Sequence, residues 1–489
     1  MAAVFGKEWK GLGNLDYVTA WYKKAVDVIC QCGNVANTQS QQPIGTGNIG
    51  TGNIGNNSTF TRCAFVSTNS ICQGDGVATL WKPLMENYGV EIDFAHRTFR
   101  WDNEAFDKAH VHCVIIGFHA KGNVANVKML PSPNANAQLE IGNIGTGNTS
   151  TLATLTKTIF DGGRAIPATH INAYLAPGPD AWLESRSRTM FASLPLVFGS
   201  MPNDGGFLSD WSPERRAEVI ARWPSAEALF RRLVGSHEAI NDVERWCLWL
   251  KGVAPDAIRA VPPVMEAIAK VREHRLASNR AATRKLAATP TLFGEIRQPE
   301  SGNYLLIPKV SSERREYIPM AFLPADVIAS DLCLIVPGAT LADFGVLTSS
   351  AHMAFTRATC GRLKSDYRYS AKIVYNNFPW PGGVNVANVK MLPSPNANAQ
   401  LETGNIGIGN TSTMATISKT AQAILDARAR YPESSLADLY DPLTMPSDLR
   451  AAHEANDKAV LAAYGLAPDT PEMDIVAHLF KLYADKTAK

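Results

Sequence analysis

Two long segments of this chain are nearly identical, and neither can build a core. Asn123 to Thr158 reads NVANVKMLPSPNANAQLEIGNIGTGNTSTLATLTKT, and Asn385 to Thr420 reads NVANVKMLPSPNANAQLETGNIGIGNTSTMATISKT. A shorter relative, GNVANTQSQQPIGTGNIGTGNIGNN, fills Gly33 to Asn57. Rich in Asn, Gly, Ser and Thr, they lack the periodic apolar positions that bury a helix or strand face. Each falls where one predicted element has ended and another begins. They read as insertions into loops, where added length costs little closure entropy. The fold must therefore be assembled from the pieces between them.

The short repeat also imitates a nucleotide loop. GTGNIGTGNIGNN, Gly45 to Asn57, holds the pattern G-x-G-x-x-G twice in overlapping register. A working loop of that kind needs a strand before the first glycine and a helix after the last, whose N–H groups meet the anion. NTQSQQPI before Gly45 is no buried strand, and NNSTFT after Gly55 leads into an extended run, CAFVS. Both requirements fail, so the pattern reads as part of the insertion.

The 489 residues allow two to four domains, and 45% hydrophobic with 19% charged residues describes a soluble globular chain. A net charge of only +2 means that a nucleic-acid surface has to come from local clustering. The N-terminus lacks an apolar core and a small-residue cleavage site, and no apolar run is long enough to span a membrane. Eight scattered cysteines fit reduced thiols and a cytoplasmic protein better than a disulfide scaffold. Cys30-x-Cys32 and His110-x-His112 lack a second pair at zinc-like spacing, so no metal is expected.

Between the repeats, Asp16 to Gln31 has apolar residues at helical spacing. Cys63 to Ser67 reads as a strand, Gly76 to Asn87 as a helix, and VEIDFAH and Val111 to Phe118 as further strands. That alternation predicts part of a doubly wound α/β sheet.

The blocks LDYVTAWYKKA, CAFVSTNSICQGDGVATLWKPL, FAHRTFRWDNEA and AHVHCVIIGF resemble the later half of an adenine-specific DNA methyltransferase. The subfamily is the one fused to restriction enzymes of types IIG and IIL. FGSMPNDGG, ERWCLWL, RLASNRAATRKLAATPTLFGEIRQP, YLLIPKVSSERREYIPM and RLKSDYRYSAKIVYNNFPWP resemble its target-recognition domain, and LADLYDPLTMP its C-terminal helical segment. The resemblance implies a partial class I methyltransferase-like α/β domain over 1–160, interrupted at 33–57 and 123–158. An α+β target-recognition domain over 161–381, a repeat insertion over 385–416 and a helical segment over 417–489 follow. It further implies S-adenosyl-L-methionine as methyl donor and double-stranded DNA as substrate.

The family's glycine-rich donor loop and its Asn-Pro-Pro-aromatic tetrapeptide are not in this sequence. Pro262-Pro263 lacks the Asn and the aromatic, and Asn377-Phe378-Pro379-Trp380 ends a recognition-domain segment. Met1 falls just past where the tetrapeptide belongs. The chain thus reads as a C-terminal portion, inactive alone and needing an upstream polypeptide. The competing reading is a non-catalytic specificity module or an inactive gene remnant.

Adenine methylation swings the base out of the duplex into a pocket. Phe118 matches the position where related enzymes place a stacking aromatic; it equally caps a core edge. Asp16 and Tyr17 match the helix bordering the donor pocket, and a helix N-cap explains Asp16 as well. Asn69 follows a strand end, where ligand-facing loops and ordinary turns both occur.

For DNA, Lys270, Arg272, Arg275, Arg280, Arg284 and Lys285 are opposed only by Glu273 on a predicted helix, and Arg314 and Arg315 form a basic turn. These are expected to track phosphates, which positions a duplex without reading it. In RLKSDYRYS the charged Arg362, Lys364, Asp366 and Arg368 alternate with Leu363, Ser365, Tyr367 and Tyr369. If the segment is extended, all four charges share one face. Lys364 then donates to guanine and Asp366 accepts from the cytosine amino group, together reading one G·C pair. The alternative is a surface salt bridge.

Overall fold

The computed structural model describes residues 1–7, 9–39, 62–101, 111–120, 157–191, 193–381 and 408–488. The glycine pattern at Gly45 to Asn57, His110 of the possible metal pair and most of both long repeats lie outside these residues. The chain divides into two units, Met1–Glu184 with Val476–Lys489, and Ser185–Ile475.

In the first unit, helical spacing buries Tyr22, Val26 and Ile29 along one stripe of α1, Thr19–Gln39. Strands β1 (Arg62–Thr68), β2 (Val90–Trp101), β3 (Val111–Ala120), β4 (Lys157–Asp161) and β5 (Arg164–Ala168) form one sheet in the order β1-β3-β2-β4-β5. Both β1 and β2 run antiparallel to β3, and are therefore parallel to each other. Helix α2, Gly76–Tyr88, connects them and ends at Gly89, whose φ of 62° suits a residue without a side chain. The α/β unit is therefore mixed: β2 and β4 are its parallel hydrogen-bonded pair, and β3 is wedged antiparallel between the strands of the crossover.

Alternation along β3 buries Val114, Ile116 and Phe118, and Trp81 of α2 and Tyr22 of α1 pack on Phe118. Gly117 faces the other way, against the Phe94 ring, and is a glycine because a Cβ there would lie 2.1 Å from that ring. The β4–β5 hairpin crosses the boundary expected at 160/161, since β4 is bonded to β2. The unit extends instead to Glu184 and takes in the chain from Val476. Phe480 stacks on Tyr174 at 5.1 Å, and the Tyr483 hydroxyl donates to the Trp182 carbonyl at 2.9 Å.

The second unit is α+β. Strands β6 (Val197–Phe198), β9 (Asn303–Pro308), β11 (Ala321–Pro324) and β13 (Cys333–Pro337) form a sheet in the order β11-β9-β13-β6. As an inner strand, β9 buries Tyr304 to Ile307 continuously. Strands β7 (Phe230–Val234), β8 (Trp246–Leu248) and β12 (Ile328–Ala329) form a second sheet. A third contains β10 (Val310–Ser311), β14 (Arg362–Leu363) and β15 (Asp366–Arg368), in the order β10-β15-β14. Helix α3 (Pro262–Leu276) packs Val264, Ala267, Ile268 and Val271 into the second sheet's core, and α4 (Ala281–Lys285) follows it. After α5 (Leu341–Leu347) and α6 (Ser350–Thr359) come α7 (Ile408–Arg428) and α8 (Ser447–Ala463); α9 (Glu472–Thr487) follows and belongs from Val476 onward to the first unit. Since α7 begins at Ile408, the end of the repeat expected at 385–416 is helical.

Candidate nucleic-acid interface

RLKSDYRYS is not one extended strand. It is a hairpin: Arg362 pairs with Tyr367, Leu363 pairs with Asp366, and Lys364-Ser365 forms the two-residue turn. Lys364 holds a φ of 57°, the left-handed region that primed hairpin turns require and that a lysine seldom adopts. The four charges consequently do not share a face. Asp366 and Arg368 stay together, while Arg362, opposite the buried Tyr367, turns back and lays its guanidinium over that ring at 4.0 Å. Arg362 also donates to the Ser365 carbonyl at 2.9 Å, which ties down the turn. Lys364 is left exposed at the tip and Arg368 exposed on the strand.

The same sheet brings the second predicted element alongside. Val310 pairs with Arg368, so the turn after β10, Ser312 to Arg315, runs next to the hairpin. The Glu313 amide donates to Asp366 Oδ1 at 3.4 Å. Arg314 is exposed, with Asp441 at 3.8 Å, a distance at which a surface pair contributes little. Arg315 is half-buried; burial pulls its pKa down, opposed by the charges of Asp366 and Asp441. Lys364, Arg368 and Arg314 thus stand as exposed cations at one end of the third sheet, with Asp366 as the acceptor among them.

The basic run from Lys270 to Lys285 fares differently. It is two helices, α3 and α4, broken across Ala277 to Arg280. Arg275 is fully buried and donates to the carbonyls of Pro202, Asn203, Leu286, Thr289 and Leu292 at 2.8–3.0 Å. It is a clamp on irregular backbone rather than a phosphate contact. Lys270 is paired with Glu266 at 2.6 Å. Arg280, Arg284 and Lys285 remain exposed, although Arg284 also donates to the Ser278 carbonyl at 2.8 Å.

In the first unit, Phe118 is 1% exposed. Its ring is enclosed by Tyr22 (5.6 Å, stacked), Phe65 and Trp81. As it stands it is a core residue, with no open ring face to offer a base. Asp16 is not an N-cap, because α1 starts at Thr19. Its carboxylate instead accepts from the Tyr17 amide and from the Ser70 hydroxyl, both at 2.8 Å. That bond joins Asp16 to the segment after β1, where Asn69 donates to Gln73 at 3.2 Å. Tyr17 is 71% exposed beside it. Asp16, Tyr17 and the end of β1 are therefore neighbours, as a site at the C-terminal end of a strand requires.

Sequence reasoning missed the two tyrosines that aim the hairpin. Tyr367 is buried under Arg362, and the buried Tyr369 hydroxyl bonds His352 Nε2 at 2.9 Å. Their alternation with the charges was the available signal.

Three family models match in order: the MmeI DNA-methyltransferase domain over residues 1–130, the MmeI target recognition domain over 177–382 and the MmeI C-terminal domain over 409–489. The chain is 32% identical to DNA methyltransferase A of Bacillus subtilis (strain 168), over all of this chain and 46% of that one. It is 37% identical to the type IIL restriction–modification enzyme MmeI, solved in complex with DNA. That match has a TM-score of 0.73 and covers all of this chain and 54% of that one. The chain spans about half the length of both relatives. With methyltransferase, target-recognition and C-terminal domains in this order, the chain belongs to the MmeI family.

Proposed function

We propose that this chain carries the DNA-reading part, and part of the methyltransferase domain, of a site-specific adenine methyltransferase in a cytoplasmic restriction–modification system. The observation carrying this reading is the hairpin tip. Lys364, Asp366 and Arg368 sit on a short, tyrosine-anchored ribbon beside the Arg314–Arg315 turn, within the region matched by the target recognition model. A two-stranded ribbon fits the major groove, where Lys reads guanine acceptors and Asp reads the cytosine amino group. Arg314 and Arg315, with Arg280, Arg284 and Lys285, neutralise phosphates.

Methyl transfer from S-adenosyl-L-methionine then rests on a donor loop and tetrapeptide supplied by another polypeptide segment. Two features support such a partner. Among the described residues β1 is bonded on one side only, to β3. In the same unit Tyr17, Trp21 and, on β1 itself, Val66 are more than half exposed, large apolar side chains in a unit whose sheet has an unpaired edge among the described residues. Asp16 and Tyr17 border the donor site that such a partner completes.

The test is selection of duplexes from a random pool by the full chain, repeated with Lys364→Ala and Asp366→Ala. Each is expected to relax preference at one base pair, at about 1–3 kcal/mol of discrimination. Affinity loss equal for every sequence makes them backbone contacts instead. Selection of no sequence at low salt points to the gene-remnant reading.

A further inference from the structure

Tyr317 to Met320, directly after the Arg314–Arg315 turn, is buried yet belongs to no strand. Buried irregular backbone must find its partners elsewhere. Here the Met320 carbonyl and the Tyr317 side chain find theirs on the C-terminal helices. The Met320 carbonyl accepts from Arg428 Nη1 at 2.7 Å. The Glu316 carboxylate accepts from Arg450 at 2.8 Å. Tyr317 donates its hydroxyl to Asp457 Oδ2 at 2.7 Å and stacks on His453, with ring centroids 4.1 Å apart. His453 Nε2 in turn bonds the Tyr440 hydroxyl at 2.7 Å, which also receives Arg428. The other oxygen of Asp457 accepts from the Ser350 amide at 2.7 Å, at the start of α6.

These contacts reach three residues of the stretch, Glu316, Tyr317 and Met320, from α7 and α8, with Tyr440 bracing Arg428 and His453 behind them. A stretch held at both ends and at Tyr317 has little freedom, and the arginines of the turn immediately precede it. We propose that Tyr317, held by Asp457, is a positioning residue for DNA binding: the C-terminal helices set where Arg314 and Arg315 meet the phosphates. This rests on the reading of that turn as a DNA contact. The competing account is that the Tyr317–Asp457 bond only adds stability.

The two are separated by duplex-binding titrations of the full chain at several salt concentrations, with thermal unfolding of each variant alongside. R314A/R315A is expected to weaken binding about tenfold or more and to reduce the slope of log K against log salt by about two. Tyr317→Phe, which keeps the ring and its stacking, is expected to weaken binding severalfold and to reduce that slope by about one. Asp457→Asn is expected to do the same. Tyr317→Phe added to R314A/R315A is expected to have no further effect, because the groups it positions are gone. Wild-type affinity and slope in Tyr317→Phe, or an equal loss in both backgrounds, overturns the proposal. If R314A/R315A itself binds like wild type, the DNA-contact reading of the turn fails first, and the proposal falls with it.

Discussion

Arg275 lies in the middle of a run of cations, but its guanidinium is spent on five carbonyls of its own chain. Burial lowers its pKa, with Asp204 opposing that shift. A planar fork with five donors can satisfy so many carbonyls at once; an ammonium with three cannot. Arg275→Lys should therefore destabilise the second unit by about 3 kcal/mol, through carbonyls left buried without donors. Urea unfolding measures this, and a change under about 1 kcal/mol would show that the clamp is dispensable. The run of charge was visible in the sequence, but its one buried member was not. Nothing in VREHRLASNR marks which arginine points inward, since that depends on where the loops at Pro202 and Thr289 pass.

Elements show the same division. α1, β1, α2 and β3 were legible because each carries a periodic apolar stripe that had to be buried. The hairpin at Arg362 to Arg368 was not. Its turn is Lys-Ser, without the Asn or Gly that announces a primed turn, so alternation alone suggested a continuous strand. Two buried histidines on neighbouring helices give this unit a pH dependence whose direction follows from their surroundings. Burial pushes His352 of α6 down to about 3. Burial, with Arg428 and Arg450, holds His453 of α8 well below the usual value. Both are kept neutral in the fold, so their contribution is complete above pH about 6.5 and is lost as the pH falls. Asp457 acts oppositely: burial pushes it up to about 6, so the fold takes up its proton before the unfolded chain does. Each group changes stability by about 1.4 kcal/mol per pH unit in its window. Two histidines against one aspartate leave a net loss of about that size per unit between pH 6 and 4. Urea midpoints at pH 7, 6 and 5 should therefore fall steadily, and a midpoint that rises below pH 6 would mean that Asp457 dominates.

At the scale of the whole molecule, the order of regions was readable from long blocks of residues, and the repeats stood out by composition. The division of the chain was not readable. It depends on Phe480 and Tyr483, which sit in an ordinary amphipathic helix and pack on Tyr174 and Trp182 far away in sequence. No local pattern announces such a return. Phe480→Ala should cost the first unit about 3–5 kcal/mol and leave the second intact. Limited proteolysis reads this directly, as new cleavage within Met1–Glu184 while fragments of Ser185–Ile475 persist; equal cleavage of both units would refute it.

That return also sets a timetable. A ribosome making this chain delivers every residue of the recognition unit before it delivers the aromatics that close the methyltransferase unit. The unit begun first is finished last. A chain cut after Ile475 would keep every residue of the second unit and lack the aromatics that cover Tyr174 in the first, leaving the first unit exposed to chaperones and proteases.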